Sequence, residues 1–84
     1  MRYFFHVEDG DSFFDEEGQE LSTATAAKIE AARLLGELLK DRAEAFWDHR
    51  TLRLIVTDDR GLILFVLDLS AVQAPALTLP AMAS

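Results

Sequence analysis

RYFFHVEDGDSFFDEEGQEL, residues 2–21, decides how the rest of the chain is read. Two aromatic runs are each followed at once by carboxylates. The stretch is either a pair of short strands joined by charged turns or an acidic loop built to hold a cation. Residues 3–8 are aromatic and β-branched, which favours a strand. Strand alternation places Tyr3, Phe5 and Val7 on one face and Phe4, His6 and Glu8 on the other. Asp9-Gly10 has the chemistry of a tight turn, because glycine takes positive φ without steric cost. Residues 12–15 then read as a returning strand, and Glu16-Glu17-Gly18 as a second turn.

The cation reading is tested by spacing. An EF-hand loop needs oxygen ligands at alternate positions and glycine at the sixth. Counted from Asp9, the fifth and sixth positions are Phe13 and Phe14. Counted from Asp11, Phe13 falls on the third position and Glu16 on the sixth. Asp9, Asp11, Asp15 and Glu17 therefore remain metal candidates by turn proximity only. The plainer reading is a charged hairpin that keeps a sheet edge soluble.

Beyond Leu21 the period changes. Ser22, Thr23 and Thr25 are each able to cap a helix, and the helical pattern runs to about Trp47. Glu30, Arg33, Glu37, Lys40, Asp41 and Glu44 gather in one narrow polar sector. Ile29, Ala32, Leu39, Ala43 and Phe46 form one apolar flank, and Ala27, Ala31, Leu34, Leu38 and Ala45 another. Together these flanks cover roughly 220° of the helix, against a stripe of about 100° for an ordinary surface helix. One sheet face does not cover both flanks, so a second subunit or the C-terminal tail is expected over the other.

TLRLIVT (51–57) alternates, with Leu52, Leu54 and Val56 opposed to Arg53 and Ile55. Asp58-Asp59-Arg60-Gly61 is a hairpin turn. LILFVLDL (62–69) is apolar on both faces as far as Leu67, the pattern of a strand that is central or lies at an interface. The expected architecture is α+β: a two-layer ββαββ domain over residues 1–70, with an antiparallel four-stranded sheet, one long helix on one face, and the first and last strands central. Residues 71–84 form an uncharged tail in which Pro75 and Pro80 forbid a regular helix.

Composition narrows function by exclusion. The chain has 84 residues, a formal charge of −7 and no cysteine. A domain of this size buries only about 60–65% of its unfolded surface, leaving little interior for a water-excluding pocket. The negative charge opposes nucleic-acid binding, and Arg50, Arg53 and Arg60 read as ordinary surface charges. No stretch is long and apolar enough for a membrane span. The charged first ten residues are wrong for a signal peptide, so a cytoplasmic setting is expected. His6 and His49 lack the short ligand spacing of a zinc site. No nucleophile elbow, phosphate loop or dinucleotide fingerprint occurs. The chain is read as a non-enzyme that needs no cofactor.

RYFFHV-x-DG, DEEG-x-EL, an Ala/Leu-rich helix and a second hairpin of the form TD-x-x-G together resemble a small proteobacterial domain family of unknown function, abundant in rhizobia and their relatives. The resemblance runs from Arg2 to about Ser70. It implies the ββαββ fold and a bacterial cytosolic setting, and carries no activity with it. More distantly, a small sheet with one helix looks like antitoxins of HicB type, which bind a toxin and dimerise.

The expected function is a non-catalytic protein-interaction module that self-associates, with a homodimer as the expected state. Its candidate contact residues are Phe4, Leu34, Leu38, Phe65 and Leu67. One alternative is an antitoxin-like or regulatory partner of a basic protein, acting through the acidic turns. Another is a cation-binding domain built on those same turns.

Overall fold

Alternation in the first and fourth strands builds the centre of the molecule. In the computed structural model, which describes residues 1–77, the order is β1 (Arg2–Glu8), β2 (Ser12–Phe13), β3 (Gln19–Glu20), α1 (Ala24–Asp41), α2 (Ala43–His49), β4 (Thr51–Thr57) and β5 (Ile63–Ser70), followed by a short 3-10 turn, Pro75–Leu77. The sheet is antiparallel and runs β2-β1-β4-β5, with β3 paired to the other end of β1. The expected α+β architecture is present, with α1 packed on one sheet face.

That face is assembled in cross-strand rows. Phe5 lies opposite Val56 and Val56 opposite Phe65; Val7 lies opposite Leu54 and Leu54 opposite Leu67. Leu54 and Val56 are fully buried, and Tyr3, Phe5, Ala27 and Ala31 complete the cluster. Burying each such aliphatic side chain contributes about 1.5–3 kcal/mol. Ala27 and Ala31 let α1 lie close to the sheet, while Leu34 and Leu35 pack at the margin of the core. Among the three candidate caps, Thr23 starts the helix: its Oγ1 accepts from the Ala26 N–H at 3.0 Å. The serves-as-cap geometry is the usual one, an extended residue closing an amide of the first turn.

Two expectations are corrected. The long helix is broken at Arg42, whose backbone (φ −123°, ψ 36°) leaves the helical region. The break keeps two helical hydrogen bonds, Arg42 N–H to Leu38 C=O and Phe46 N–H to Arg42 C=O, both 2.9 Å. It coincides with contacts that a continuous surface helix would not need: the Arg42 guanidinium pairs with Asp9 at 2.6 Å and lies over the Phe13 ring, 5.2 Å from its centroid. Phe46 is buried beyond the break. The second correction concerns strand order. β1 is central as expected, but β5 is an edge strand. Its apolar character on both faces does not reflect burial on both faces, since its burial alternates between exposed and half-buried.

The first turn is held from across the domain. Gly10 has φ 103°, and the His49 ring of α2 occupies the space where a side chain at Gly10 would go. Both the conformation and the close approach require glycine. α2 ends at Arg50 in the left-handed region (φ 61°), whose N–H closes on Phe46 C=O. Among the described residues, no helix is long and apolar enough to cross a membrane. The expected tail falls partly here, in residues 71–77; the remainder lies outside the described residues.

Candidate functional site

The sheet face away from α1 is the most distinctive surface. Register gives three rows across it: Phe4–Thr57–Ile63, His6–Ile55–Val66 and Glu8–Arg53–Asp68. The rows grade from apolar to charged. In the last, Arg53 stands between Glu8 at 3.9 Å and Asp68 at 3.1 Å, the arrangement that cross-strand pairing favours. The first two rows border a depression of about 390 Å³, lined by His6, Phe14, Ile55, Thr57 and Ile63 among others. Phe14 is 76% exposed, Ile63 59% and Val66 42%.

His6 has a fixed place in this surface. The Asp15 backbone N–H donates to Nδ1 at 3.1 Å, and Nε2 lies 3.0 Å from Thr57 Oγ1. A ring nitrogen that accepts an N–H carries no proton. The neutral ring is therefore protonated on Nε2, which donates to the Thr57 hydroxyl. The Phe14 ring packs beside the imidazole at 5.6 Å between centroids. His6 thus joins the strand, the acidic turn and β4.

Asp15 closes the gap between β2 and β3. Its Oδ2 accepts from the Phe5 N–H of β1 at 3.1 Å. Its Oδ1 accepts from the Glu17 and Gly18 amides at 3.1 and 3.0 Å. A carboxylate therefore serves β1 where no paired strand residue does. Burial pushes the Asp15 carboxyl upward, but the amides of Gly18, Phe5 and Glu17, with His6 nearby, outweigh it and hold the group below its ordinary value. Asp58 does similar work in the second hairpin, accepting from the Arg60 and Leu62 amides at 2.8 and 2.9 Å. The paired sequences DEEG and DDRG share this Asx-turn chemistry.

The outer edge of β5 completes the surface. β4 occupies one side of β5, and among the described residues no strand occupies the other. The segment that follows turns toward β4: Ala71 N–H bonds Arg50 C=O at 2.9 Å, and Arg50 Nη2 donates to Gln73 Oε1 at 3.2 Å.

Residues 2–70 match the family model described as "Domain of unknown function (DUF6894)". The chain belongs to this family. No curated protein matches it, and no solved structure does.

Within the DUF6894 domain the expected contact residues do not form one surface. Leu34, Phe65 and Leu67 pack against the core beneath α1. Leu38 is half-buried beside Asp9, Arg42, Phe46 and Leu52. Phe4 is half-buried on the opposite side of the sheet. Of the four metal candidates, Asp9 is engaged by Arg42 and Asp15 by three backbone amides, while Asp11 and Glu17 are exposed. Among the described residues, no group of three or more His, Cys, Asp or Glu side chains is placed to hold a metal ion. Alternation of consecutive aromatics places Phe4 and one of Phe13 or Phe14 on the sheet face away from α1, but sequence reasoning missed Ile55, Ile63 and Val66 as its continuation in the DUF6894 domain. The signal was available for Ile55, which alternates away from Leu54 and Val56. For Ile63 and Val66 it required the strand order.

Proposed function

We propose that this DUF6894 domain is a small non-catalytic interaction module that self-associates, as a homodimer in the bacterial cytosol that the sequence resemblance implies. The observation that carries the reading is the continuous apolar surface of Phe14, Ile55, Ile63 and Val66, which runs from the open sheet face to the outer edge of β5. Contiguous exposed apolar surface of this kind marks interaction sites. His6, which lines the depression on this face, is committed to two structural bonds, which argues against a catalytic role for it.

The antitoxin-like reading relies on free carboxylates in the turns. Asp9, Asp15 and Asp58 are engaged by Arg42 and by backbone amides, while Asp11, Glu16, Glu17 and Asp59 of the turns stay exposed. Cation binding through the same turns lacks a gathered ligand set among the described residues. Light scattering across a concentration series tests the proposal. Mass should rise toward a dimer as concentration increases, and a strict monomer throughout contradicts it.

A further inference from the structure

Resting on the self-association reading, we infer that two copies join through the outer edge of β5, strand to antiparallel strand, making one continuous sheet from two. The occupant of this edge is a second copy of the chain.

The hydrogen-bond phase supports this geometry. Arg50 and Ala71 form a hydrogen-bonded pair, with the Ala71 N–H on Arg50 C=O. Bonded and non-bonded pairs alternate along an antiparallel ladder. Leu69 and Leu67, opposite Leu52 and Leu54, therefore turn their backbone groups toward β4. The N–H and C=O of Val66, Asp68 and Ser70 turn outward. These are directional donors and acceptors in a row, flanked by apolar side chains, and an antiparallel copy of the same row is complementary to them.

Most natural edges carry devices that prevent such pairing: a lysine, a proline, an inward charge or a very short strand. β5 has eight residues and none of the first two. Its single charge, Asp68, is paired with Arg53 at 3.1 Å. The bulge where β5 slips past Val56 and Thr57 lies near its start, leaving residues 65–70 regular.

Charge selects the occupant and the register. The chain is strongly acidic overall, at −7, so two copies repel wherever their carboxylates meet. Residues 62–67 carry no charge. A two-fold axis within residues 65–67 brings these neutral segments together and keeps Asp68 clear of the partner's Asp68. An axis at Asp68 would oppose the two carboxylates directly. A basic peptide would find only one acid along this strand, already engaged, so the edge is not built for it.

The test uses the absence of cysteine. Val66→Cys should give a covalent dimer with a short bifunctional maleimide, while Ile29→Cys, on the exposed flank of α1, should not. Val66→Pro removes an outward N–H without touching the β4 ladder, and Val66→Lys places a charge on the edge. Each should weaken self-association by about tenfold or more with the circular dichroism of the monomer preserved. If Val66→Pro fails to fold, Val66→Lys and the two cysteine variants decide the matter. Cross-linking of the Ile29→Cys dimer instead, or a dimer left intact by both folded Val66 variants, overturns the edge pairing and leaves self-association standing. A monomeric wild type overturns both.

Discussion

Beyond β1 the sheet ends in two-residue strands, and a side chain fills the space between them; beyond β4 it ends in an eight-residue strand whose outer side is open among the described residues. The first edge is short, acidic and internally satisfied. Asp15 supplies the acceptor that Phe5 needs, and Glu16 and Glu17 face solvent. The second edge is long and apolar, with its one charge tied to Arg53. The contrast teaches that one chain closes one edge chemically and, among the described residues, leaves the other without such a device. A uniform need for solubility would have treated both alike.

Both edges depend on the strand between them. Leu54 is fully buried in β4, between β1 and β5. Leu54→Ala should cost about 2–5 kcal/mol, enough to unfold much of a small domain, as read by chemical denaturation. Loss of one edge with retention of the other would show that the two are independent units.

The next largest effect isolates the protected edge. Asp15→Ala deprives the Phe5, Glu17 and Gly18 amides of their acceptor and should cost about 1.5–3 kcal/mol. Amide exchange at Phe5, Glu17 and Gly18 should accelerate, while protection in β4 falls only with global stability. Equal acceleration everywhere would mean that Asp15 does not act locally.

Acid sharpens the same point. The Asp15 carboxyl is held below its ordinary value in the folded state, so on acidification the unfolded chain takes up this proton first. Its stabilising contribution is complete above the ordinary aspartate range, near about pH 4, and is lost as pH falls through the lower folded value. Thermal melts of wild type and Asp15→Asn should therefore converge as pH falls through that window. Parallel curves across it would remove the carboxylate from the account.

The smallest effect lies at the charged end of the open face. Arg53→Ala breaks two exposed ion pairs and should change stability by less than about 1 kcal/mol. Freed from its partner, Asp68 should weaken self-association more than it weakens the fold. Matched scattering and denaturation measurements on that variant check this.

Alternation made β1 and β4 legible in the sequence, because each has a buried and an open face. Helical residues were legible to about Trp47, where α2 continues beyond α1, but the break at Arg42 was not: a period of apolar residues does not register an arginine whose side chain meets Asp9 and Phe13 from elsewhere in the chain. β5 misled in the opposite direction. Residues apolar on both faces signal removal from water without saying whether the same chain or another removes them. Asp15 was legible only as a turn residue. Its spacing to Gly18 is an Asx-turn signal, but its bond to Phe5 depends on how β2 and β3 stop short of meeting. Phe65 and Leu67 read as contacts by apolar character alone, which the face toward α1 uses for the core.

Edge pairing through β5 is decided by sedimentation equilibrium of the wild-type chain and Val66→Lys, run side by side. The wild type should approach twice the chain mass of 9.4 kDa while Val66→Lys, equally folded, stays near that mass at the same concentrations. Identical mass distributions for the two chains would contradict it.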